Sequence, residues 1–314
     1  MDTTMPTASE RIELVSPLEE LLFHGMHANE QLSRPFTFQL DLLSKNKDVD
    51  RDKILGGKVT IKVTLQNDDI RYYNGFVTRF SAGSALGRYA RYHATVSPWL
   101  WFLTRTADCR IFQDKTVRQI VEEIFKDHPK VADFVFEITE TYQPLKYCVQ
   151  YRETDFNLVS RLLEHEGMYY YFRQTDGHHT MVITDSTNKH NKTKGYETLQ
   201  FIDPKIAVRP GTEYINAWEI SREVQPGVYV HDDYDFERPS VDLITTKSLP
   251  RQYTPSDYEV FDNPGLYLQK PLGERLALVR IDEFGAKFEL AQATSNYRGV
   301  SVGARFTLEG HELP

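Results

Sequence analysis

Four groups of residues carry side chains whose types and spacing could do chemistry. His24 and His27 stand in an H-x-x-H spacing that could bring two imidazoles to one metal ion. They flank Gly25 at a predicted β-turn with no third ligand of suitable spacing nearby, so they read as solvated turn histidines. His178 and His179 follow Asp176-Gly177, a hairpin turn signal. Neighbouring strand residues point to opposite faces, so this pair is badly arranged for one ion and reads as loop. Glu164-His165-Glu166 sets two carboxylates beside an imidazole, the ingredients of acid–base catalysis. Consecutive helical residues diverge by about 100°, however, so the three side chains do not converge. Their helix ends at Gly167, where carboxylates gain nothing from the negative pole of the dipole. Pairing with Arg152, Arg161 or Arg173, or exposure to solvent, is the expected arrangement. His311-Glu312 could open an H-E-x-x-H zinc motif, but the given sequence stops before the fifth position. No G-x-S-x-G elbow, P-loop or Rossmann glycine pattern occurs. The expectation is no catalytic residue, no metal, no cofactor and no enzyme.

The elements around these residues are more informative. From Lys146 to Arg173 the chain reads KYCVQYRETDFNLVSRLLEHEGMYYYFR. Tyr147 to Tyr151 alternates like a half-buried strand. Thr154 or Asp155 offers an oxygen to cap a following helix. Phe156, Leu158, Val159, Leu162 and Leu163 form its apolar stripe. Gly167 is a C-terminal stop, and the aromatic run from Met168 to Phe172 suits a strand. The residues that fix this strand–helix–strand unit are Tyr151, Arg152, Glu153 and Asp155 at the corner, with Arg161, Glu164 and Gly167 toward the helix end.

Composition bounds the rest. The chain has 314 residues, 40% of them hydrophobic and 26% charged, enough for two or more globular domains. Its formal charge of −8 argues against a large phosphate-binding surface, so no nucleic-acid partner is expected. Only Cys109 and Cys148 are present, which makes no disulfide framework. The opening MDTTMPTASE lacks the basic and apolar regions of a signal peptide, and no apolar run is long enough to span a membrane.

Along the chain, strands are expected at 11–15, 36–43, 59–65, 71–80 and 89–96, with a helical turn at 52–55. Gly75 inside a strand marks a bulge or a close backbone approach. Short connections and the absence of a long helix suggest a barrel or sandwich. Trp99 to Leu103 must be buried, and Thr116 with Gln119 makes a capping box for a helix whose apolar face is Val117, Ile120, Val121, Ile124 and Phe125. Residues 134–138 and 180–184 return to strand, and 185–200 read as loop. Strands are expected at 215–224 and 228–236, irregular chain at 250–273, a helix at 272–281 and returning strands at 288–308.

Several passages carry a family resemblance. Q-Y-R-E-T-D-F (150–156), R-L-L-E-H-E-G (161–167) and Y-Y-Y-F (169–172) resemble the N-terminal region of VgrG, the type VI secretion spike family, which is similar to the baseplate hub of contractile phage tails. So do LLFHGMHANEQLSRPFTFQLDLLS (21–44), the run from VSPWLWFL through CRIFQ (96–113), VHDDYDFERP (230–239) and GARFTLEG (303–310), with Val302 where the family has Pro. The resemblance implies a mixed β and α+β fold, with two antiparallel tube-forming β-barrels, α/β domains inserted between and within them, and a truncated second barrel. The expected domains are a first barrel at 1–98 and an α/β domain at 99–204. A second, incomplete barrel is expected at 205–240 and 285–314, with a small insert at 241–284. It implies a structural role: a homotrimer in the full-length protein that caps the hexameric Hcp tube and meets baseplate and effector proteins. Such a protein stays in the cytoplasm until firing, leaves through the apparatus without a signal peptide, and has no stable membrane insertion. A contractile-phage hub is the neighbouring reading. A spike with an effector enzyme downstream and a carbohydrate-binding module, suggested by the many Tyr and Trp residues, are the others.

Overall fold

The computed structural model describes residues 12–312. They form a mostly β chain with few helices, which divides into two compact units. One contains residues up to 164, 168–198 and 298–307; the other contains 165–167, 199–297 and the residues from 308 on.

The first unit opens with six strands: β1 (Ile12–Val15), β2 (Leu22–Gln31), β3 (Arg34–Ser44), β4 (Lys58–Thr64), β5 (Ile70–Ala82) and β6 (Ala90–Ser97). They pair antiparallel in the order β1-β4-β5-β6-β3-β2, as one curled sheet. The alternation in β3 decides which face turns inward. Phe38, Leu40 and Leu42 are fully buried and lie opposite Val96, Ala94 and Tyr92 of β6. Burying a large apolar side chain contributes roughly 1.5–3 kcal/mol, so this one face supplies much of the sheet's stability. A Cβ on Gly75 would sit 2.6 Å from Val96 and 2.9 Å from the Ser97 carbonyl. That glycine answers a close approach; the bulge in β5 lies further on, between Val77 and Arg79. Asp50 caps the helical turn α1 (Arg51–Ile54).

Trp99–Arg105 is a 3-10 helix with Trp99, Leu100 and Leu103 fully buried. After it come β7 (Ala107–Lys115), α2 (Val117–Lys126), β8 (Phe134–Glu137), β9 (Leu145–Thr154), α3 (Asp155–Glu166), β10 (Tyr169–Thr175) and β11 (His178–Thr184). The capping box of Thr116 and Gln119 forms, and the five apolar residues of α2 named from the sequence are all buried. Trp99 meets Phe125 of α2 edge-on at 4.9 Å. Strand β11 lies between β10 (antiparallel) and β8 (parallel), while β7 and β9 pair as a separate ribbon.

In the second unit, Ile215–Arg222 pairs with Glu289–Ser295, and Val228–His231 lies between Thr245–Ser248 and Glu259–Asp262. Helix α4 (Lys270–Phe288) carries Pro271 in its first turn and packs Ala277 and Ile281 against Tyr229.

Several local expectations change. His24 and His27 lie on β2, not at a turn: Gly25 sits within the strand, opposite Asp41, and a bulge takes up the irregularity. His178 and His179 belong to β11 rather than a loop, because Asp176 and Gly177 alone make the turn, with Gly177 at φ 68°. The strand at 228–236 stops at His231. Helix α4 runs past 281 to Phe288, since Gly285 lacks the positive φ that would end it. His311 packs its ring edge-on against Phe201 at 4.6 Å.

Candidate functional site

The corner where β9 enters α3 is built from residues scattered over half of the first unit. The Thr154 hydroxyl accepts the Asn157 N–H at 3.1 Å, so Thr154 is the helix cap. This releases Asp155 for another role. Its carboxylate is buried and accepts from Arg110 Nη2 (2.7 Å), Gln150 Nε2 (2.7 Å) and the Thr106 hydroxyl (2.7 Å), with His128 Nε2 at 3.3 Å. Burial pushes the Asp155 carboxyl upward, but the hydrogen bonds and the Arg110 charge outweigh it and hold the group below its ordinary value. Arg110 also bonds Asp127 and donates from Nε to Gln150. One guanidinium thus ties β7 and β9 to the ends of α2 and α3.

Arg152 is the extra residue where the register shifts: Tyr151 lies opposite Cys109 and Glu153 opposite Asp108. Its φ of 54° is left-handed, one of the conformations by which a bulge takes up the extra residue. Glu153 and Arg161 clasp each other, with Arg161 Nε 3.0 and 3.1 Å from the two carboxylate oxygens and Nη2 2.7 Å from the Val149 carbonyl. Gly167 stands at φ 75°, and the Met168 N–H donates to the Leu163 carbonyl at 2.9 Å, closing α3 with a Schellman-type bond. Glu164 is exposed on the outer face of α3.

Of the two acids near the helix end, Glu164 is exposed, one of the expected arrangements, whereas Glu166 takes an arginine not named from the sequence. Arg161 is taken by Glu153 and Arg173 by Glu137, while Glu166, which groups with the second unit, is buried against Arg275 of α4. Burial raises the Glu166 carboxyl above its ordinary value, and Arg275 only partly offsets this.

Strand β9 also reverses the expected pattern. Cys148 and Gln150 face inward, whereas Tyr147, Val149 and Tyr151 face solvent together with Ile111 and Cys109 of β7. The inner face is polar because it serves the Asp155 network. Sequence reasoning missed Arg110, Gln150, His128 and Thr106, because no local spacing links residues up to 49 positions from Asp155. The alternation in β9 was visible, but its sign was not.

The hydrogen bonds and ion pairs of this corner tie β7, β9, α2 and α3 together. The family model for the phage tail baseplate hub (GPD) matches residues 29–314. The chain belongs to that baseplate hub family. It is 37% identical over 302 residues to the type VI secretion system spike protein VgrG1b of Pseudomonas aeruginosa, covering 96% of this chain and 40% of that protein. It is 36% identical to VgrG1a of the same organism over 93% of this chain and 45% of that one. The chain therefore spans about two fifths of the length of these relatives. Among solved structures, it resembles the E. coli c3393 protein, described as a component of the type VI secretion system with similarity to T4 tail proteins gp27 and gp5. The TM-score is 0.65 at 20% identity, over 94% of this chain and 68% of that one. A 43 kDa tail protein of prophage MuSo2 from Shewanella oneidensis gives 0.63 at 12% identity, over 96% and 89%. At these identities the likeness is one of fold.

Proposed function

We propose that this chain is the hub region of a type VI secretion spike. It trimerises in the full-length protein, caps the hexameric Hcp tube, and is expelled with the tube when the sheath contracts. Its partners are other copies of itself, Hcp, baseplate proteins and effectors; it takes no nucleic acid and no stable place in a membrane. It is cytoplasmic before firing and extracellular afterwards. The work comes from the sheath, and the hub's task is to transmit load rather than to catalyse. The observation that carries this reading is the 37% identity to VgrG1b along 96% of the chain.

The same reading divides the chain into a first tube domain (1–98), an α/β domain (99–204), a second tube domain (205–240 and 285–314) and an insert (241–284). Strand ladders suit such a job because they spread strain over many hydrogen bonds. Tyr151, Arg152, Glu153, Asp155, Arg161, Glu164 and Gly167 serve it by fixing the joint between β9 and α3. The experiment is to delete the gene and its close copies and measure Hcp in the culture medium. Loss of extracellular Hcp, restored by the full-length gene, supports the spike; unchanged export defeats it.

A second reading, the hub of a contractile phage tail or phage-like particle, draws on the fold likeness to the prophage tail protein. Sheathed particles that disappear with the gene while Hcp export continues would favour it.

A further inference from the structure

The D-Y-D-F segment of the second unit, residues 233–236, alternates like a strand but is irregular chain that runs into a turn at 235–238. Its aspartates point inward. The Asp233 carboxylate accepts the Tyr267 N–H at 3.1 Å. Buried Asp235 accepts the Glu237 N–H at 3.0 Å and the Arg238 Nε at 2.9 Å, and Arg238 Nη2 donates to the Leu268 carbonyl at 3.1 Å. Backbone bonds from Asp232 N–H to the Asp262 carbonyl and from Gly265 N–H to the Asp232 carbonyl (3.2 and 2.8 Å) stitch this turn to 262–265.

The apolar residues of the same segments point outward. Tyr234 is 65% exposed, Phe236 76% and Leu266 68%, with Phe261 also in solvent. Single exposed apolar residues are ordinary, but large ones gathered on one stitched pair of turns are not. Aromatic side chains on a fixed backbone lose little entropy when they are covered, which is what interface anchors need.

The charge around them says what covers them. Of the carboxylates in residues 231–238 and 259–268, Glu237, Glu259 and Asp262 are exposed, against a single cation in these segments, Arg238, which Asp235 already holds. Two copies meeting through this same patch would bring like charges together, and contact with a different face of another copy is separated by the self-association measurement below. We infer that this turn is a docking site for another protein that presents Lys and Arg around an apolar groove, with Phe236 and Tyr234 as anchors. The inference rests on this local geometry and not on the choice between spike and phage hub.

The test uses the 314-residue chain and two labelled synthetic peptides of equal length, one amphipathic Leu/Lys and one Leu/Glu, read by fluorescence anisotropy. The Leu/Lys peptide should bind, more weakly as salt rises, and the Leu/Glu peptide should not. The double variant Tyr234→Ser/Phe236→Ser should bind at least about tenfold more weakly, and Glu237→Gln about twofold. Both anchors are in solvent, so the double variant should melt with the wild type; Phe236→Lys alone is the second variant should it fail to fold. Three results would overturn the proposal: no binding by the wild type, equal binding by the anchor variants, or equal affinity for both peptides. Wild-type self-association that the anchor variants abolish would also overturn it, because the occupant would then be another copy.

Discussion

His179 Nε2 accepts the backbone N–H of Trp99 at 2.9 Å, while its Nδ1–H donates to the Asn74 side-chain oxygen at 2.8 Å. The imidazole is neutral, of one tautomer, and 3% exposed beneath the curled sheet. It joins β11 to the first turn after β6, and its neighbour His178 points outward toward Asp133.

Burial pushes His179 down to about 3. An unfolded imidazole protonates near about 6.5, so between these values the unfolded chain binds the extra proton and stability falls as pH drops. The full contribution is present above about pH 6.5, and on the order of 3–5 kcal/mol is lost by about pH 3, as an upper bound. His179→Gln keeps an acceptor for Trp99 but removes this titration. Urea midpoints at about pH 7 and pH 4 should differ clearly less in the variant than in the wild type. Equal differences would refute the assignment.

Arg110→Ala should cost about 3 kcal/mol, because it strips a buried carboxylate of its cation. Arg161→Ala removes a clasp on a half-exposed guanidinium and should cost about 1 kcal/mol or less. Chemical denaturation of the two variants measures the ranking, and a reversed order would show that Arg110 does not hold the corner.

Gly167→Val should destabilise by about 2 kcal/mol, since φ is 75° and a Cβ there would stand 2.8 Å from a Val279 methyl. A melting temperature unchanged from wild type would count against the left-handed stop.

The two thiols should react at different rates. Cys109 lies on the exposed ribbon face, whereas Cys148 is 7% exposed and burial raises its thiol. A thiol reagent should titrate one group quickly and the second only after denaturation. Two fast thiols would mean that the ribbon packs otherwise.

Much of the fold was legible because its signals are local. The capping box at Thr116, the apolar face of α2, the glycine stop at 167 and the alternation of β3 each depend on residues within a turn or two of one another. The family passages were legible for the same reason: they are short runs that can be read without knowing what they touch.

Tertiary structure decided what local pattern leaves open. Alternation in β9 sets which side chains share a face, but α2 and α3 decide which face is covered, and the Asp155 network makes it the polar one. The D-Y-D-F run has a strand's period, yet hydrogen bonds to residues 262–268 turn it into a display of aromatics. The sequence by itself determined the family, most of the elements and those ends marked by a cap or a glycine stop, such as Thr116 and Gly167, because propensity, capping and periodicity act over a few residues. Which polar groups meet, which histidine is buried and which apolar residues face solvent were decided only on folding, because those depend on partners brought together from tens of positions away.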